Sequence, residues 1–372
     1  MKLIAQVKLL PDDRQADALR RTLELANEAC NYVSERAWET RTFKAFDLHK
    51  LLYYEVKERF GLSAQVVVRV LAKVSDAYKL DRQSKRTFKP HGAIGYDDRI
   101  LRWYVDKFAV SIWTVDGRLH IPFTCGERQR ELLQSRQGES DLILFRDSFF
   151  LAATCEVADP DPIDVADVLG VDLGIVNLAT DSDGETFSGA AVEQKRRIYA
   201  HRRRNLQRNG TKAARRKLRQ ISGRQARFQK DTNHTISKRI VQKAYDTQRA
   251  IALEELTGIR SRITVRRKQR ARHANWSFFQ LKGFIAYKAR RAGIPVFAVD
   301  PRNTSRECPV CGCIDKANRP DQSTFSCVSC GHAANADHNA ARNIRARAVV
   351  NLPMVSTTAA TSAVASGTSH PL

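Results

Sequence analysis

No run of eighteen apolar residues occurs in this sequence, and that absence excludes a membrane-spanning helix. The opening, MKLIAQVKLLPDDRQ, turns acidic early and lacks a small-residue cleavage site, so no secretory signal is read there. No internal repeat is found. Cysteine is sparse outside one cluster, with Cys30, Cys125 and Cys155 scattered along the chain. They read as small buried hydrophobes in a reducing cytosol, which argues against a disulfide framework. What the second half lacks is acid. Residues 1–165 balance 26 Lys or Arg against 25 Asp or Glu, whereas residues 166–372 set 37 against 15. A folded unit with a net charge of +22 repels itself unless a polyanion neutralises it, so nucleic acid is the first partner to consider.

At 372 residues the chain has room for two or three domains of roughly 100–200 residues each. Residues 3–10 read as a first strand, and Pro11 with Asp12 or Asp13 opens a helix. Ala16, Leu19, Leu23, Ala26, Cys30, Val33 and Ala37 then recur at steps of three and four, the stripe by which a helix buries one face. A second helical stretch over about 47–80 carries Leu51, Leu52, Val56, Phe60, Val67, Val70, Leu71 and Val74. Near residue 88 the pattern changes. Leu101, Trp103 and Val105 alternate with polar residues, and Asp116-Gly117 sits between two short apolar segments as a hairpin turn. Phe149, Leu151, Ala153, Cys155 and Val157 alternate again. This reads as a small antiparallel barrel, with the helices of 11–85 inserted after its first strand.

Asp159-Pro160-Asp161-Pro162 marks a linker. Beyond it, 168–171, 175–179 and 186–187 form a three-stranded meander with a turn at Asp181-Ser182-Asp183-Gly184. Residues 194–230 are a basic helical stretch, 249–253 a buried strand, 275–292 a helix ended by Gly293, and 294–299 another strand. The small polar residues from about 355 onward cannot build a core and are expected to be disordered.

Three patterns carry chemistry. Cys308-Pro-Val-Cys311 and Cys327-Val-Ser-Cys330 are separated by fifteen residues, and each is followed by glycine. Two such knuckles surround one zinc tetrahedrally and leave no open position, so the ion is structural. Cys313 and His332 flank the knuckles as spectators. The second pattern is three acids. Asp172 lies at the end of the apolar run Leu169-Gly-Val-Asp-Leu-Gly174, Glu254 ends Ala250-Ile-Ala-Leu-Glu254, and Asp337 opens a helix over 337–344. Singly, each has an ordinary reading as a turn residue, an exposed strand end and a helix cap. Together they can converge on a pair of Mg²⁺ ions that stabilise both oxygens of a phosphodiester displacement. The third pattern is charge. Residues 194–230 hold fifteen Lys or Arg and no acid, with Arg202, Arg203, Arg204, Arg215, Arg216 and Lys217 as candidate phosphate contacts. A second basic run covers 260–272.

GVDLGIVNLATDSDGETFSG, IALEEL, NTSRECPVCG, CVSCGH and ADHNAARNI occur in the order seen in the TnpB family. These transposon-encoded OrfB proteins are related to compact type V CRISPR effectors, and the chain resembles them strongly over about 166–350. It departs at two places: Glu255 stands where members often carry Asp, and Asn335-Ala336-Asp337 where they often carry Asp-Arg-Asp. The resemblance implies an α+β multidomain fold. An antiparallel wedge β-barrel (1–10 and 86–165) would hold an inserted helical recognition domain (11–85). A RuvC-like (RNase H-like) α/β nuclease domain (166–305 and 332–352) would follow, with an inserted zinc ribbon (306–331) and a disordered tail (353–372).

The implied activity is RNA-guided, Mg²⁺-dependent cutting of double-stranded DNA next to a short transposon-adjacent motif. The family's catalytic acids fall on Asp172, Glu254 and Asp337, which would hold two Mg²⁺ ions, and its zinc ligands on Cys308, Cys311, Cys327 and Cys330. The implied partners are a guide RNA transcribed from the element's own end and a target duplex, with one protein copy per RNA or a dimer. Two alternatives remain: a guide-RNA-dependent DNA-binding regulator without cleavage, and a basic zinc-ribbon RNA-binding protein without any action on DNA.

Overall fold

The computed structural model describes residues 1–255 and 278–350. The second basic run, the start of the helix expected from residue 275 and the tail lie outside the described residues. The chain divides into two compact units, 1–158 and 159–372.

In the first unit, seven antiparallel strands run in the order β2-β6-β7-β1-β5-β4-β3. They are β1 (Lys2–Leu9), β2 (Ile94–Tyr96), β3 (Leu101–Tyr104), β4 (Ala109–Thr114), β5 (Gly117–Thr124), β6 (Arg136–Phe145) and β7 (Ser148–Glu156). The sheet nearly closes on itself: the Tyr96 hydroxyl on edge strand β2 donates to the Trp113 carbonyl of β4 at 3.2 Å, one strand short of the other edge. Its inner face is the expected alternation, with Ala5, Val7, Leu9, Phe149, Leu151, Ala153 and Cys155 all buried. The Asp116-Gly117 hairpin joins β4 to β5, pairing Thr114 with Gly117.

Between β1 and β2 come α1 (Asp13–Thr40), α2 (Ala45–Phe60) and α3 (Ala64–Leu80), and they share one apolar core with the sheet. Asp12 caps α1, its side chain accepting from the Gln15 amide at 2.8 Å while Gln15 reaches back to the Asp12 amide. The single helical stretch expected over 47–80 is two helices. Gly61 closes the first in the left-handed region and Ser63 stands at the N-terminus of the next, so the backbone turns where the apolar pattern alone continues. A short helix α4 (Glu127–Gln134) and the polar first half of β6 are not among the expected elements, since α4 is polar nearly throughout and buries only Leu133.

The second unit is built on a five-stranded sheet in the order β10-β9-β8-β11-β12. Its strands are β8 (Asp167–Asp172), β9 (Asn177–Asp181), β10 (Thr186–Ser188), β11 (Arg249–Glu254) and β12 (Val296–Val299). The meander β8–β9–β10 is antiparallel, and β8, β11 and β12 run parallel. The basic stretch is three helices, α5 (Ala190–Asn209), α6 (Lys212–Ile221) and α7 (Arg224–Asp246), broken at Gly210 and at Gly223. Among the described residues, α8 (Phe278–Arg291) and α9 (Ala336–Val349) follow. One face of the sheet packs Leu169, Val171, Ile251 and Leu253 against Ile236 and Ile240 of α7 and Leu281 and Ile285 of α8. The other packs Val168, Ala250, Ala252 and Val299 against Ile344 and Ala348 of α9. A two-stranded ribbon, β13 (Thr324–Ser326) and β14 (Ala333–Asn335), precedes α9.

Candidate active site and metal centre

Side chains of a strand alternate between its faces, so parity assigns each acid. Val168, Gly170 and Asp172 of β8 share one face; Ala250, Ala252 and Glu254 of β11 share the same face. That face belongs to α9. Val171 lies in register with Leu253 on the adjacent parallel strand, so Asp172 and Glu254 end neighbouring strands side by side. Small residues let the helix come down on them. A Cβ on Gly170 would sit 2.2 Å from the Ala341 carbonyl oxygen and 2.6 Å from the Arg345 nitrogen. From that crossing, Asp337 is one helical turn back, about 6 Å. Asp172 is two strand residues on, about 6.6 Å. The three carboxylates therefore meet at one level.

Asp337 is not the cap of its helix. Asn335 is, its Oδ1 accepting from the amides of Asp337 at 3.0 Å and His338 at 3.2 Å. This accounts for one departure from the family pattern, since Asn and Asp both serve as caps. The Asp337 carboxylate is left to accept from the Asn177 side chain at 2.8 Å, and the Arg319 guanidinium stands 3.9 Å away. Glu254 accepts from the Thr304 hydroxyl. Glu255 faces the other side of the strand, where Lys282 of α8 pairs with it at 2.9 Å.

Burial drives the Asp172 carboxyl well above the usual carboxylate range, and the charges of Glu254 and then Asp337 push it the same way, while Arg319 opposes them. Burial also raises Glu254, against the hydrogen bond from Thr304 and the charges of Arg347 and Arg319. An all-oxygen donor set of acids that resist ionising side by side fits hard divalent cations such as Mg²⁺. Asn177, Thr304 and Arg319 were not identified from the sequence. Asn177 lies inside the quoted GVDLGIVNLAT segment, but nothing in a linear pattern says which carboxylate it reaches.

The four cysteines form a separate centre, with ligand sulfurs all within 4.8 Å of one another. The three carboxylates do not form so tight a group. Cys308 and Cys330 sulfurs lie 3.6 Å apart, as do those of Cys311 and Cys327. A tetrahedron with metal–sulfur bonds of about 2.3 Å has edges of about 3.8 Å, so the set fits one zinc. Gly312 and Gly331, at φ 72° and 74°, close the two knuckles, donating to the Cys308 and Cys327 carbonyls. The Cys330 amide, donating to the Cys327 sulfur, helps pull that thiol down to about 6. Cys313 and His332 stand outside the group and contribute carbonyls to the amides of Cys308 and Cys327.

Arg202, Arg203, Arg204, Arg215, Arg216 and Lys217 are all exposed on α5 and α6, and none is paired with an acid among the described residues. Arg196 and Arg197, in contrast, are tied to Glu193 at 2.7 and 2.8 Å.

Residues 153–257, which contain Asp172 and Glu254, match the family described as OrfB_IS605, probable transposase. Residues 278–344, which contain the cysteines and Asp337, match the Cas12f1-like TNB domain. Over these two segments the chain resembles the TnpB proteins. It is 35% identical over 128 residues to the TnpB-like protein of Methanocaldococcus jannaschii, a match covering 34% of this chain and 45% of that protein. It is 36% identical over 199 residues to the CRISPR-associated endodeoxyribonuclease Cas12f1 of Sulfoacidibacillus thermotolerans, covering 49% and 46%. With the putative RNA-guided DNA endonuclease InsQ of Escherichia coli K12 it shares 31% over 200 residues, covering 49% of each. The chain thus spans about half the length of the curated relatives it matches.

Two solved structures share the fold, each with a TM-score of 0.61. One is the Cas12f1–sgRNA–target DNA complex, at 16% identity over 90% of this chain and 83% of that one. The other is the mini-RNA-guided endonuclease CRISPR-Cas_phi3, at 10% identity over 95% and 93%. No described helix is long and apolar enough to cross a membrane.

Proposed function

We propose that this protein is an RNA-guided, Mg²⁺-dependent endonuclease that cuts double-stranded DNA beside a short adjacent motif. The observation that carries the reading is the convergence of Asp172, Glu254 and Asp337 from two parallel strand ends and a helix start. The similarity to relatives named as endodeoxyribonucleases and RNA-guided DNA endonucleases supports it. In this reading 166–305 with 332–352 is the RuvC-like nuclease domain, 306–331 the zinc ribbon, and the first unit the wedge barrel with its recognition helices. A guide RNA, transcribed from the element's own end, pairs with the target strand, and base pairing carries the sequence specificity.

Asp172, Glu254 and Asp337 would hold two Mg²⁺ ions, which would supply positive charge for a phosphodiester displacement. Thr304 and Asn177 keep two of the carboxylates oriented through their hydrogen bonds. Cys308, Cys311, Cys327 and Cys330 hold one structural zinc, which fixes the ribbon that carries Arg319. The exposed arginines of α5 and α6 contact phosphate and read no sequence.

The test is cleavage and gel shift on one matched duplex with the guide RNA, in Mg²⁺ and in EDTA. Asp172→Ala is expected to bind the target and not cut. Glu255→Gln is expected to cut nearly as the wild type does, because its side chain faces Lys282 on the opposite side of β11. Cutting that persists in Asp172→Ala defeats the mechanism. A wild type that binds its target and never cuts turns the reading into a guide-dependent regulator. Sequencing the RNA that copurifies with the protein from its own host tests the guide, since a discrete transcript overlapping the gene end is expected.

A further inference from the structure

Strand β9 is irregular at the edge of the site. Its register with β10 shifts between Phe187, which pairs with Ala179, and Ser188, which pairs with Asn177. One extra residue, Leu178, is therefore accommodated in β9 as a bulge, a device that re-aims neighbouring side chains. The packing shows what it does here. Leu178 and Ala179, consecutive in the chain, both join the apolar layer under α7 and α8. In a regular strand Asn177 would share the face of Ala179. With the bulge it falls on the α9 face, and its side-chain amide donates to the Asp337 carboxylate at 2.8 Å. At the other end of the bulge Thr180 lies directly opposite Asp172. Its buried hydroxyl has no hydrogen-bond partner among the described residues. A buried hydroxyl left unpaired beside a carboxylate is costly unless something at the site uses it.

We propose that Asn177 is the positioning residue for Asp337, turned to it by the bulge at Leu178 of β9. The amide nitrogen can only donate and the carboxylate oxygen accepts. The bond thus holds one Asp337 oxygen against rotation, while the other, 3.9 Å from the Arg319 guanidinium, is the one a cation would take. Such outer partners tune metal affinity through the ligand they orient. The inference rests on the nuclease reading above.

The test uses the full chain with its guide RNA and matched duplex, and Mn²⁺ as the probe ion, with binding followed by electron paramagnetic resonance. Asn177→Leu, similar in size but without the donor, is expected to weaken Mn²⁺ binding by about tenfold or more and to slow cutting by a comparable factor. Its melting temperature in EDTA and its target binding should match the wild type. Asn177→Gln, which keeps the amide on a longer stem, should recover part of the Mn²⁺ affinity. Asp337→Ala serves as the reference. If Asp337→Ala itself keeps normal Mn²⁺ binding and cutting, the assignment of the three acids as the cutting site fails; a wild type that binds its target and never cuts defeats the nuclease reading instead. If Asp337→Ala loses both while Asn177→Leu keeps both, only the positioning role is overturned. Loss of Mn²⁺ binding that merely follows falling melting temperature across Asn177→Leu, Asn177→Ala and Asn177→Gln would also overturn it, as the mark of a structural residue.

Discussion

At the residue scale, the acids of the site are held against their own electrostatics. Asp172 and Glu254 have carboxyls raised by burial, and Asp172 also faces two like charges. A carboxyl held above its ordinary value takes up more protons in the folded than in the unfolded state. Without metal, stability therefore falls as pH rises from the ordinary carboxylate range through the raised folded value. Asp172→Asn removes that charge and keeps the shape. In EDTA at neutral pH the variant is expected to melt above the wild type, each kcal/mol appearing as roughly 2–4 °C for a unit of this size. The advantage should vanish near about pH 3, below the ordinary aspartate value of about 3.9, where Asp172 is protonated in both states. Melting curves across pH check this, and a variant that melts lower than the wild type at neutral pH would contradict it. Mg²⁺ should raise the melting temperature of the wild type and not of the variant, because only the intact acids bind it.

At the element scale, the site depends on how closely α9 lies on β8. Gly170→Ala places a methyl against the Ala341 carbonyl and the Arg345 amide, both backbone atoms that cannot swing aside. Overpacking of this kind costs about 1–3 kcal/mol, and here it also lifts Asp337 from the level of Asp172. Cutting should fall much further than target binding, measured beside the denaturant midpoint. A variant with normal midpoint and normal cutting would show that the helix has room. The ribbon is the second such element. Apart from Phe325 and Ala336, its small core consists of its own cysteines, so on the proposed zinc reading its folding energy would be metal-binding energy. Cys327→Ser should lower zinc content and loosen the ribbon; equal zinc in both proteins would sink the assignment. These elements were legible in sequence to different degrees. The strands of the meander and β11 announce themselves by apolar runs, whereas α4 and the break at Gly61 do not, because one is polar nearly throughout and the other leaves the periodicity intact.

At the scale of the whole molecule, charge is the dominant feature. The excess of base over acid lies in residues 166–372, and the helices that carry much of it bury little: α5 has no buried residue and α6 only Ala214 and Ile221. Helices so polar are not held by a core of their own, and a polyanion is the natural complement. Replacing Arg202, Arg203 and Arg204 with Gln should weaken nucleic-acid binding and flatten its salt dependence by about one unit of slope per lost phosphate contact. Binding titrations at several salt concentrations measure that slope. If it is unchanged, these side chains face solvent in the complex as well.

The sequence by itself determined the alternation that builds the barrel face, the stripe of α1, the knuckle spacing and the segregation of charge. All of these are local or compositional, and period or spacing alone displays them. It also marked Asp172, Glu254 and Asp337 as strand ends and a helix start, but left each an ordinary alternative. Only the tertiary structure decided between those readings. It took the cap away from Asp337 and gave it to Asn335, put Glu254 and Glu255 on opposite faces, and set Gly170 under α9 so that distant segments meet. It also turned Asn177 through a one-residue bulge. The physical reason is that contacts across more than a hundred residues are fixed by register and by the closest approach of packed backbones, and neither leaves a periodic trace along the chain.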